Sequence, residues 1–149
     1  MPAIKQGLLA SMLNTLHERI ESAQKAIDSA IDSRNTATKS SAGDKHETGR
    51  ALMQTEIDNQ NKQLANSILL KNTLSQIPLA KSSKVDFGSL VETNHGFFYI
   101  SVSIGIVQFA GNEYFTLSPA TPLARVLTGA VAGDTIAFQG RQYQILNIS

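Results

Sequence analysis

Cysteine is absent from the 149 residues, which excludes disulfides and thiolate metal sites and fits a reducing compartment. Aromatic residues are absent before Phe87; all six Phe and all three Tyr follow it, and there is no Trp. A packed, β-rich core therefore belongs to the C-terminal half, and the first half has only a thin aliphatic seam. No block of like charge occurs either: 13 basic residues stand against 12 acidic ones, for a net charge of +1. Independent high-affinity nucleic-acid binding is not expected, because counterion release needs a basic face. No stretch approaches a membrane span, and Met1-Pro2-Ala3-Ile4-Lys5 has no apolar core of signal-peptide length. The chain reads as cytoplasmic.

What is present divides in two. Leu9, Leu13, Leu16, Ile20, Ala23, Ile27 and Ala30 recur at alternating four- and three-residue steps, a heptad seam. Met53, Ile57, Leu64, Ile68, Leu74 and Ile77 give a looser stripe of helical period. The pattern predicts one helix from near Ile4 to about Arg34 and a second ending at Gln76 or Ile77, where Pro78 stops it. Between them Asn35 to Gly43 is rich in turn formers and reads as a bend, so the arms lie antiparallel. At about 1.5 Å per residue, arms of about thirty residues hold the tip, residues 35–47, roughly 45 Å from the base. Residues 1–80 are thus a helical hairpin, and Lys81-Ser82-Ser83-Lys84 opens a second domain, residues 81–149.

That domain reads as α+β and mostly antiparallel. Strands are expected at Leu90 to Thr93, Phe97 to Phe109, Tyr114 to Leu117, Thr135 to Phe138 and Gln142 to Ile148. Ala120 to Leu127 reads as a short helix, with Pro122 in its first turn and Gly129 after its end.

Several motifs carry a resemblance. Leu117-Ser118-Pro119-Ala120-Thr121-Pro122-Leu123-Ala124-Arg125-Val126-Leu127-Thr128-Gly129 is similar to the Ile-Ser-x-x-Ser-Pro-Ile/Leu-Ala-Arg-x-Leu-x-Gly of the bacterial Gre transcript-cleavage factors. Val131-Ala132-Gly133-Asp134-Thr135-Ile136 resembles that family's Val-Gly-Asp-x-Val, and Val85-Asp86-Phe87-Gly88-Ser89-Leu90-Val91 its Val-x-Phe-Gly-x-x-Val. At the tip, Gly43-Asp44-Lys45-His46-Glu47 resembles Gly-Asp-Leu-x-Glu, with both acids in place. The resemblance implies an N-terminal coiled-coil hairpin and a small C-terminal domain like the FK506-binding proteins. It implies that the C-terminal domain docks at the rim of the secondary channel of core RNA polymerase. The coiled coil then enters the channel, near the nascent RNA, and its acidic tip helps hold a second Mg2+ in the polymerase's own active site. On that reading the factor is not itself an enzyme and carries no cofactor when free. The sequence departs from the family after Glu47, where Thr48-Gly49-Arg50-Ala51 replaces Asn-Ala-Glu-Tyr.

Asp44 and Glu47 are the candidate catalytic and metal-binding pair. Carboxylates three apart on a helix share a face and can reach one cation. Magnesium accepts one or two protein carboxylates when substrate phosphates and water complete its shell. Such an ion can ionise a water for in-line attack on a phosphodiester. Asp-x-x-Glu at a helix start is equally a capping box. Arg125 is the candidate partner contact, with Ser118, Thr121 and Pro122 around it; the alternative for Arg125 is an internal salt bridge tying its helix to the sheet. His46 is expected to be solvated, and Lys45 and Arg50 could steer the tip towards phosphates. Three functions compete: a polymerase-binding elongation factor, with or without transcript cleavage; a prolyl isomerase with a helical arm; and a dimerisation module. Only the first uses both the tip acids and the Arg125 motif.

Overall fold

A computed structural model describes the backbone of residues 2–39 and 43–149 and the side chains of residues 3–36 and 48–149. The element order is α1 (Pro2–Lys39), α2 (Gly43–Ser75), β1 (Leu90–Thr93), β2 (Gly96–Ile100), β3 (Gly105–Phe109), β4 (Asn112–Leu117), α3 (Pro122–Leu127), β5 (Thr135–Phe138) and β6 (Arg141–Ile148). This is an α+β chain: a helical hairpin, then a six-stranded sheet with one short helix. Contacts group it into two compact units, residues 14–72 and residues 1–13 with 73–149. The change from helix to strand near residue 80 is therefore not where the contacts divide, because the base of both helices belongs with the sheet.

The unit of residues 14–72 holds the hairpin. Leu16, Ala23, Ile27 and Ala30 of α1 are buried, as the heptad predicts, and so is Ile57 of α2. The stripe on α2 differs from expectation at one point: Ser67 is buried and Ile68 is 41% exposed. Steps of three, four and three from Leu64 lead to Ser67, Lys71 and Leu74, so Ser67 falls in the seam and Ile68 one position outside it. Ser67 lies with Ala23 and Ser22, small residues that let two helices approach. Nearer the bend, the Arg34 Nη1 donates to Gln54 Oε1 at 2.8 Å, and Gln54 Nε2 in turn donates to Asp58 Oδ1 at 3.0 Å. The Arg34 position, polar in an otherwise aliphatic seam, is thus satisfied from the facing helix.

The bend is shorter than the sequence suggests. Asn35 to Lys39 belong to α1, although their composition reads as turn. Hydroxyls in a helix can bond back to the preceding turn instead of breaking it. Thr36 does so, donating to the Asp32 carbonyl at 2.9 Å. At the other end α2 stops at Ser75, and Gln76 and Ile77 close a final turn onto Thr73 and Leu74 before Pro78.

In the second unit the sheet order is β3-β4-β2-β1-β6-β5. Every pairing is antiparallel except β2 with β4. The run Phe97 to Phe109, expected as one strand, is two. After Ile100 the chain turns through residues 101–104, held by Ser101 N donating to Leu117 O at 2.7 Å and Ile104 N to Thr116 Oγ1 at 3.0 Å. It then runs out as the edge strand β3 and returns as β4 beside β2, which makes that pair parallel. One sheet face packs on α3: Val91, Phe98, Ile100, Leu127, Tyr143 and Ile145 form its core. Phe98 stacks on Phe115 at 5.3 Å and meets Tyr143 edge-on at 5.8 Å. Each fully buried side chain of this size contributes roughly 1.5–3 kcal/mol. The base of α1 lies in the same unit, where Leu8 and Met12, not Leu9 and Leu13, are fully buried. The buried stripe has moved by one residue because this segment packs within the sheet unit, with Ile4 beside Leu90 and Phe97 and Gly7 against the Phe109 ring.

Tyr99 is fully buried and its hydroxyl has no hydrogen-bond partner among the described residues. Burial pushes its pKa up to about 12. Removing an unpaired buried hydroxyl relieves its desolvation cost, so Tyr99→Phe is expected to raise stability by about 1 kcal/mol at neutral pH. Because the folded pKa lies above the unfolded one, the stability of the native chain is intact below pH 10 and declines as pH rises from 10 towards 12. Urea titrations at neutral pH and in that alkaline window test both points. Equal stability of the two proteins at neutral pH would refute the first, and an equal alkaline decline the second.

Candidate functional site

The segment from Ser118 to Gly129 is built as a helix start held by its own backbone. Thr121 is the N-cap residue, extended at φ −67° and ψ 148°, and Pro122 follows in the first turn, where a missing N–H costs nothing. Thr121 does not cap through its side chain; its Oγ1 donates instead to the Ser118 carbonyl at 2.8 Å, which also receives Thr121 N at 3.1 Å. Ser118 is fixed in turn by its N–H, which donates to Ser103 Oγ at 2.8 Å. Downstream, Thr128 Oγ1 donates to Ala124 O at 2.7 Å, and Gly129 N and Val85 N pair with Val85 O and Ala130 O. The α3 helix is thereby tied to the Val85 segment. Ala124 and Leu127 point into the core, while Pro122, Arg125 and Val126 are exposed.

Arg125 is the chemically active member of this group. Its backbone N–H donates to Thr121 O at 3.0 Å, but the guanidinium makes no ion pair among the described residues. The internal salt bridge that the sequence allowed is not formed among the described residues; His17 and Glu21 do pair, at 3.2 Å. Ser118, Thr121, Pro122 and Arg125 are therefore brought together, with the first two serving the turn and the last two presented to solvent. Two supporting residues escaped the sequence reading. Ser103 receives the Ser118 amide, and Asp134 Oδ2 accepts Val131 N at 2.9 Å, closing the turn that follows α3. The Gly133-Asp134 pair was a visible turn signal for the second; nothing local pointed to the first, which acts across fifteen residues.

Asp44 and Glu47 lie three apart in the first turn of α2, but their side chains, with those of Lys45 and His46, lie outside the described residues. Among the described residues no group of three or more His, Asp or Glu is arranged to hold a metal ion. His95 is a turn residue, its Nε2 3.1 Å from Gln142 O and its ring edge-on to Tyr143 at 5.0 Å. Among the described residues no helix is long and apolar enough to cross a membrane.

No protein-family model matches the chain, and no curated protein does. Several solved structures are similar, among them two of Gfh1. A crystal structure of GreA factor homologue 1 (Gfh1) of Thermus thermophilus is 16% identical, with 92% of this chain and 94% of that one covered and a TM-score of 0.37. A structure of the transcription factor Gfh1 is likewise 16% identical, with 93% of each chain covered and a TM-score of 0.37.

Proposed function

We propose that this protein is a transcription elongation factor that binds bacterial core RNA polymerase through the face around Arg125. On this reading its helical hairpin enters the secondary channel, and Asp44 and Glu47 help hold Mg2+ for cleavage of backtracked RNA by the polymerase's own active site. The protein contributes carboxylates and position; the nuclease belongs to the polymerase. The observation that carries the reading is the Leu117 to Gly129 motif, which resembles that of the Gre factors and whose Arg125 is exposed and makes no ion pair among the described residues. A cation in the last turn of a short, tied-down helix, with no ion pair among the described residues, is available to a partner's carboxylate. The tip spacing Asp44-x-x-Glu47 supplies the second element.

Copurification of the full chain with core polymerase tests the binding. The Arg125→Glu variant is expected to weaken it by at least about tenfold, since reversing a contacting charge replaces attraction with repulsion. Exposure of Arg125 means that thermal stability should change little, within about 0.5 kcal/mol. Absence of binding by the unaltered chain removes the proposal; undiminished binding by Arg125→Glu removes the assigned surface.

A further inference from the structure

Asn147, Glu92, Phe97 and Tyr114 occupy one register row across four neighbouring strands. Asn147 of β6 pairs with Glu92 of β1, Glu92 with Phe97 of β2, and Phe97 with Tyr114 of β4. Residues opposite one another in a ladder share a face of the sheet. A carboxylate and a carboxamide therefore stand in line with two aromatic rings, whose centroids are 5.2 Å apart. This face is opposite to the one that packs on α3, since Val91 and Phe98, the chain neighbours of Glu92 and Phe97, belong to that core. Ile4 of α1 and Asn112 at the start of β4 complete a cleft of about 150 Å³ around the row.

The polar groups of the cleft are unspent. The side chains of Glu92, Asn112 and Asn147 make no hydrogen bond or ion pair among the described residues. The nearest basic residue in sequence to the wall formed by Ile4 is Lys5, and its amine turns to the Ala80 carbonyl at 3.4 Å. Apolar and aromatic walls with a few convergent polar groups are what small-molecule sites are made of. Here the charged member is an acid, and the Phe97 and Tyr114 side chains line the cleft beside it.

We propose that this cleft binds a small organic monocation, an ammonium or guanidinium on an apolar stem. The stem packs on Phe97, Tyr114 and Ile4, the charge meets Glu92, and the carboxamide oxygens of Asn147 and Asn112 accept the remaining N–H groups. A cavity of this volume accommodates about six heavy atoms, the size of benzene.

Titration of the full chain with n-butylammonium chloride, followed by amide chemical shifts, tests it. Saturable shifts centred on Glu92 and its neighbours in β2, β4 and β6 are expected. n-Butanol, which has the stem without the charge, and ammonium chloride, which has the charge without the stem, should each bind about tenfold more weakly or not at all. Glu92→Gln keeps the shape and should weaken butylammonium at least about tenfold, and Asn147→Ala by a smaller factor. The spectrum of each variant reports whether the fold is kept. Shifts that never saturate, equal binding of butanol, or unchanged binding by a folded Glu92→Gln would each overturn the proposal. If Glu92→Gln fails to fold, unchanged affinity in Asn147→Ala does so.

Discussion

Transcript cleavage in backtracked complexes is expected to fall to the level of polymerase alone when Asp44→Asn and Glu47→Gln are combined, while binding to polymerase is kept. The substitutions remove two negative charges from the first turn of α2 but leave shape and much of the hydrogen-bonding capacity. On the proposed reading, Asp44 and Glu47 would help hold a magnesium ion, which takes hard, anionic oxygen ligands and would supply a Lewis acid to ionise water near the scissile phosphodiester. If the two acids serve as a capping box instead, the loss is about 1 kcal/mol of stability and cleavage is untouched. The two roles thus separate in one pair of measurements, cleavage rate against thermal unfolding. The chain departs from the Gre pattern immediately after Glu47, with Arg50 and Ala51 in place of an acidic and an aromatic residue. An unaltered protein that binds polymerase yet never stimulates cleavage would refute the catalytic role and leave occupation of the channel as the mechanism.

The second large effect is expected at Gly88. Its φ of +92° is a conformation that side chains resist, and a Cβ there would lie 2.6 Å from the Pro78 carbonyl oxygen. That contact joins the end of the α2 segment to the start of β1, and the Gly88 amide simultaneously donates to Ile100 O at 2.7 Å. Gly88 cannot withdraw without losing its bond to Ile100. Gly88→Ala is therefore expected to cost about 3 kcal/mol or more, from left-handed strain together with the clash. Gly140 provides the control. It also has positive φ, +77°, in the two-residue turn between β5 and β6, but a Cβ there would meet nothing within 4 Å. Gly140→Ala should cost only about 1 kcal/mol. Denaturant unfolding of the two variants compares them directly, and equal costs would show that the approach of Pro78 is unimportant.

The residues that sequence reasoning placed correctly are those governed by local periodicity and turn chemistry. Leu16, Ala23, Ile27 and Ala30 are buried because the seam repeats with the helical turn. Pro122 opens α3 because its fixed φ suits a first turn, and Thr135 to Phe138 with its hairpin partner follows from alternation across Gln139-Gly140. Two expectations failed. Asn35 to Lys39 is helical although its composition reads as turn, and the Thr36 hydroxyl bonds back to the Asp32 carbonyl without breaking the helix. Ser67 and not Ile68 is buried because the three- and four-residue steps from Leu64 fall on it, whatever its polarity.

By itself the sequence determined that there is a helical hairpin and an aromatic-rich α+β half, since both depend on periods of a few residues. It also set the acids at Asp44 and Glu47 and the Thr121-Pro122 start of α3. Tertiary structure alone decided the rest. The parallel pairing of β2 with β4 requires β3 to pass to the edge, a choice made by contacts between distant segments. The freedom of Arg125 depends on where every described acid lies. The row of Asn147, Glu92, Phe97 and Tyr114 exists only because four strands pair in one register. Strand register is fixed by the summed packing of whole faces, so residues fifty apart in the chain acquire a common site that no local pattern records.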